Sequence, residues 1–190
     1  MSHFSVAVFT TDGVYSVDDL LTPYYEGAMD DENDATPDGE ISSTINPDPK
    51  WDWYEIGGRW KDMLILKGKP NDAPVNTALV ADIDFEAMEK RSKSELRPYE
   101  EFINNSFYNK EHMLKCYPNK KEYNERMITF NTYAVITPDG KWHEPGVMGW
   151  FGLTEATPEA EREWDLSYFN RFLKPALEEK WHVTIVDCHI

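Results

Sequence analysis

The chain has 190 residues and a formal net charge of −16, from 35 acids against 19 lysines and arginines. That length supports one sizeable core. The charge excludes non-specific nucleic-acid binding and adhesion to anionic membranes, both of which need Lys and Arg to meet phosphate.

In chain order, His3–Thr10 (HFSVAVFT) reads as a strand with Phe4, Val6 and Val8 on one face. Asp12-Gly13 is a turn, and Ser16 is placed to cap a short helix from Val17 to about Tyr25, which Pro23 limits. Residues 27–50 have loop composition. Between residues 26 and 48 lie eight acids and no base, half of the net charge.

WDWYEIGGRW (51–60) follows, then short strands at Met63–Lys67 and Ala78–Ile83. Phe85–Tyr117 is helical but interrupted at Pro98, and Pro118 precedes a further helix over 119–127. Thr129–Ile136, the turn Pro138-Asp139-Gly140 and Lys141–His143 form a hairpin. Thr157 caps a helix that begins with Pro158, carries a Trp164/Tyr168/Phe172 stripe and meets Pro175. Trp181–Ile190 is a last strand.

Terminal strands with helices and a hairpin between them make one α+β domain, 1–190. The expected topology is a ferredoxin-like, split βαβ antiparallel sheet with inserted helices, in which the first and last strands are antiparallel neighbours. His3 then falls near Asp187 and His189.

Several places carry possible chemistry. In WDWYEIGGRW a helix would put Trp53, Ile56 and Trp60 on one core face, but the Gly57-Gly58 pair opposes a helix interior. Paired glycines let a backbone turn and approach a ligand. Trp53, Tyr54, Gly57, Gly58, Arg59 and Trp60 therefore make a candidate site for a flat anion, with rings for stacking and a guanidinium for phosphate. Trp142, His143 and Trp150 are expected to wall the same cleft, since HEPGVMGWFG also mixes glycine with rings.

His3, Asp187 and His189 form a third cluster, able in principle to hold a metal or to move protons, although no metal-ligand spacing is present. The acidic DDENDATPDGE fails as a calcium loop, because Ala35 stands where glycine is required and Ile41 where glutamate is. It reads as a solvated surface or a docking face for a basic protein. Asp82, Asp84 and Glu86 alternate after a strand and could equally hold magnesium or face solvent. Cys116 and Cys188 make neither a metal pair nor a disulfide framework.

The segments MSHF, WDWYEIGGRW, ALVADIDFEAM, TYAVITPDGKWHEPGVMGWFG and TIVDCHI stand together in a family of small phage and bacterial proteins. The chain resembles that family outside the acidic stretch and the helical middle. The resemblance brings no activity with it. It implies a phage or mobile-element protein in a bacterial cytoplasm, where small acidic proteins often modulate the host.

Three function classes follow. The favoured one is a binding module for a nucleotide or nucleotide-derived signal, holding it without turnover and, in a phage, sequestering an immune second messenger. The second is an acidic inhibitor of a host protein. The third, with least support, is a hydrolase or metal-dependent enzyme acting on a nucleotide. No cofactor and no membrane partner are expected, the setting is cytoplasmic, and a homo-oligomer is compatible with a small-ligand site.

Overall fold

A computed structural model describes residues 2–27, 46, 49–68, 74–104, 110–148 and 154–190. Its elements are β1 (His3–Thr10), α1 (Val17–Leu21), β2 (Trp53–Ile56), β3 (Thr77–Leu79), α2 (Phe85–Glu95), α3 (Tyr99–Asn104), α4 (Lys110–Cys116) and α5 (Lys120–Ile128). They continue with β4 (Ala134–Ile136), β5 (Trp142–His143), α6 (Pro158–Tyr168), α7 (Lys174–Glu178) and β6 (His182–His189). The fold is α+β, with a six-stranded open mixed sheet.

β6 is the hub. It pairs antiparallel with β1 along its whole length, from His3↔His189 to Thr10↔His182. Its other flank is shared: β2 pairs with residues 186–189 and β3 with residues 182–184. At the seam, Gly57 N–H donates to Ile185 O and Ile185 N–H to Asn76 O, each at 2.8 Å. Beyond β1 the order continues through β4 to β5.

A split βαβ arrangement would insert an antiparallel strand between β1 and β4. Here the two are direct parallel neighbours, Val6↔Ala134 to Val8↔Ile136, and β5 lies outside them. The physical reason is burial. All three β4 residues are buried, so β4 sits inside the sheet, whereas half-buried Trp142 and His143 suit its margin.

The two faces of β1 and β6 are both covered. Phe4, Val6, Val8, Val186 and Cys188 pack with Leu20 and Leu21 of α1 and with Trp51. Ala7, Phe9, Val183 and Ile185 pack with Met88, Trp164, Tyr168, Phe172 and Ala176 from the helices opposite. Each such Val, Ile or Phe contributes roughly 1.5–3 kcal/mol on leaving water.

Local signals act as the chemistry requires. Ser16 and Asp19 form a reciprocal capping box on α1, and Thr157 caps α6 with Pro158 at its start. The chain passes Pro175 through a π turn at Phe169–Leu173, which separates α6 from α7 without breaking the rod. Met63–Lys67 contributes only isolated bridges at Leu64 and Leu66 rather than a strand.

Candidate histidine–aspartate site

WDWYEIGGRW is a strand followed by a turn, not a helix. Pairing of Trp53↔His189 to Ile56↔Val186 extends it along β6. Gly57 then adopts φ 79° and ψ −64°, the γ-turn conformation that L side chains resist, and a short 3-10 turn covers Gly58–Trp60.

Strand alternation turns Trp53 and Tyr54 to opposite faces, and the bend at Asp52 takes Trp51 out of that alternation. Trp51 is buried, its Nε1–H donating to Leu21 O at 3.1 Å. Tyr54 faces the same side, edge-on to Trp51, with its hydroxyl donating to Asp18. Trp60 packs against the larger core. Trp53 points the other way and is 49 % exposed. The expected common face of Trp53, Ile56 and Trp60 therefore does not form, and Trp53 and Ile56 are both exposed.

Trp53 lies beside the third cluster. Register places His3 opposite His189 and Ser5 opposite Asp187, so His3 and Asp187 are diagonal neighbours on one face. His3 Nδ1 and Asp187 Oδ1 are 2.9 Å apart. The Asp187 side chain is only 2 % exposed. Its second oxygen accepts the Arg59 backbone N–H at 2.9 Å.

His189 Nδ1 meets a different carboxylate, Asp52 Oδ1, at 2.6 Å, while Asp52 N–H donates to His189 O. The imidazoles lie edge-on with centroids 5.0 Å apart, and the Trp53 ring lies edge-on to His3 at 6.4 Å. Two sequence candidates, the Trp-Gly-Arg segment and the terminal histidines, are thus one site.

What this site can do follows from its donors. A carboxylate on Nδ1 fixes a ring's tautomer and orientation and leaves Nε2 as the remaining nitrogen; the His3 side chain is 18 % exposed and that of His189 9 %. No described residue hydrogen-bonds Nε2 of His3 or His189. The Arg59 side chain is exposed and makes no ion pair with a described residue. The two Nδ1 atoms are directed at separate carboxylates, Asp187 and Asp52. Among the described residues no three His, Cys, Asp or Glu are disposed to hold a metal ion.

Trp142 and His143 are not part of this site. They form β5, with β4, β1 and β6 between them and β2. Four strand spacings of ~4.8 Å put the two margins about 19 Å apart. Among the described residues, Trp142 and His143 therefore do not share a cleft with Trp53 and Arg59.

His143 lies instead in a groove of about 610 Å³ lined with Lys141, Arg171, Phe172 and Trp181. A neighbouring depression of about 440 Å³ adds Tyr24, Lys50, Trp142 and Glu144. Its cations are mostly committed, Lys50 to Glu144 at 2.9 Å and Lys141 to Asp139 at 2.5 Å. Arg171 instead lies against the rings of Phe172 and Trp164. Burial, Arg171 and Lys141 hold His143 below its ordinary value.

Asp52 is the member of this cluster that sequence reasoning missed. Its signal was the period-two pattern of WDWYEI, which marks a strand and places Asp52 at its mouth. Asp82, Asp84 and Glu86 divide their tasks: the Asp82 backbone carbonyl accepts the Lys67 N–H, Asp84 caps α2 by accepting Ala87 N–H, and Glu86 pairs with Lys90 on the surface. Trp150 and nearly all of the acidic stretch lie outside the described residues. Comparison with protein-family models, with curated proteins and with solved structures finds no match to this chain.

Proposed function

We propose that the protein binds a small, planar, anionic ligand of the nucleotide class at the His3–Asp187–His189 site. The observation that carries this reading is the exposed Trp53 indole beside two carboxylate-anchored imidazoles, next to a glycine turn that displays Arg59. An exposed ring supplies a stacking surface of ~1–3 kcal/mol per base. The Arg59 guanidinium is the donor a phosphate takes. The net charge of −16 favours a compact ligand over a long polyanion.

Within this reading, a phage origin and sequestration of a host signal are the biological setting that the family resemblance implies. Cytoplasmic location belongs to the same proposal. No described helix is long and apolar enough to cross a membrane.

The test is a thermal-shift panel of linear and cyclic nucleotides on the wild type, Trp53→Ala and Arg59→Ala. A ligand at a hundred times its Kd stabilises by ~2.7 kcal/mol, a rise in Tm of roughly 5–11 °C at this size. The expected result is a shift in the wild type that both variants lose. A flat wild-type panel would sink the proposal.

A further inference from the structure

Binding alone does not require what Asp52 and Asp187 do. Each takes one Nδ1, at 2.6 Å and 2.9 Å, and Asp187 is itself locked by the Arg59 N–H and by the close approach of Gly58. The result is two imidazoles of fixed tautomer, 5.0 Å apart, each with an Nε2 that no described residue occupies. A neutral imidazole held this way accepts a proton at Nε2, and an imidazolium gives one from it.

Among the described residues no protein nucleophile stands with them. Cys188 points to the opposite face of β6, into the core formed with α1. The Ser5 hydroxyl accepts the Tyr133 N–H and makes no hydrogen bond to either imidazole that could activate it. A site with two proton-transfer groups and no nucleophile of its own suits a substrate that brings one. Resting on the nucleotide reading above, that substrate is a ribonucleotide, whose 2′-hydroxyl adjoins the 3′-phosphodiester.

We propose that His3 and His189 are a general acid–base pair that cleaves a short ribonucleotide phosphodiester by intramolecular transesterification. One neutral imidazole takes the 2′-hydroxyl proton as O2′ bonds to phosphorus. The P–O5′ bond breaks with its electron pair passing to O5′, which takes a proton from the other ring, an imidazolium. The products are a 2′,3′-cyclic phosphate and a free 5′-hydroxyl, and proton exchange with solvent resets the rings. Trp53 stacks a base. Asp187 and Asp52 are positioning residues that act through the rings.

The experiment incubates the full chain with ribodinucleoside monophosphates covering all base combinations and with their 2′-deoxy counterparts, reading products by mass spectrometry and binding by thermal shift. Cleavage of a ribo substrate to its 2′,3′-cyclic phosphate is expected, with the 2′-deoxy analogue bound and intact. His3→Gln and His189→Gln should each lose on the order of a hundredfold or more in cleavage rate while still giving a ligand shift. Asp187→Asn should lower kcat with KM unchanged.

A ligand shift without cleavage in the wild type overturns the catalytic proposal and leaves the binding reading standing. No shift and no cleavage overturns both. Cleavage that persists in both histidine variants, or that consumes the 2′-deoxy substrate equally, also overturns it.

Discussion

Gly58 rests directly on Asp187: a Cβ at Gly58 would lie 2.4 Å from the Asp187 Cβ and 2.5 Å from its Oδ2. With φ at +47°, the position excludes larger residues twice over, by backbone and by space. Gly58→Ala must move the carboxylate that orients His3, at a cost of about 1–3 kcal/mol. Thermal denaturation should show a fall of roughly 2–12 °C. Gly13→Ala is the control, since its φ is also positive but its Cβ would meet nothing within 4 Å. Equal losses in the two variants would show that the Asp187 contact contributes nothing.

Arg126 is the second point of leverage. It is buried on α5, 2.7 Å from Asp165 on α6, with its guanidinium over the Tyr117 ring and a hydrogen bond to Cys116 O. Removing one partner of a buried pair costs about 3–5 kcal/mol, so Arg126→Met should be among the most damaging single changes. Denaturant titration should also show Arg126→Met/Asp165→Asn recovering part of the loss, because the double variant leaves no stranded charge.

That deficit depends on pH. Burial raises Asp165 above its ordinary 3.8, an effect Arg126 opposes. Without Arg126 the folded carboxyl rises further, so the folded state binds protons more readily than the unfolded one. Stability of Arg126→Met should be least impaired below the ordinary carboxylate value and should fall as pH rises through the raised one. A deficit independent of pH between 3 and 7 would contradict this assignment.

His143 should titrate below 6.5, the direction set first by burial and then by Arg171 and Lys141. The unfolded chain takes up this proton first. The contribution to stability is therefore fully present above 6.5 and lost as pH falls through the folded value. NMR titration of Arg171→Met should move the His143 midpoint upward. An unchanged midpoint would remove Arg171 as a cause.

Both thiols should be inert in the folded protein. Burial and then Glu161 push Cys116 up to about 11, and burial pushes Cys188 up as well. The thiolate is the reactive form. Labelling by an aromatic disulfide at pH 8 should therefore follow the unfolding rate, and rapid labelling of either cysteine in native buffer would contradict it.

The legible parts of this fold are those written in local or terminal pattern. The limits of β1, the Ser16 and Thr157 caps and the last strand follow from alternation and capping chemistry within a few residues. Antiparallel pairing of the two terminal strands was enough to bring His3 to Asp187 and His189. The rest depends on partners remote in sequence. Nothing local in WDWYEI says that it lies along β6, yet that register is what joins Asp52 to His189 and Arg59 N–H to Asp187. The sheet order could not be read either, because β4 and β5 are too short for pattern to reveal which of them is interior. Trp142 and His143 were misplaced for that reason: similar composition put two ends of one sheet into one cleft.

The hub role of β6 has a kinetic consequence. Three strands, β1, β2 and β3, have β6 as a direct partner, and its pairing with β1 closes a loop spanning nearly the whole chain. Such high contact order makes folding slow, because the entropy of closing the loop is lost before the ladder forms. As β6 follows the other described elements in the chain, a growing chain can assemble α1 and the middle helices before it. It cannot bring His3 and His189 together until β6 has docked.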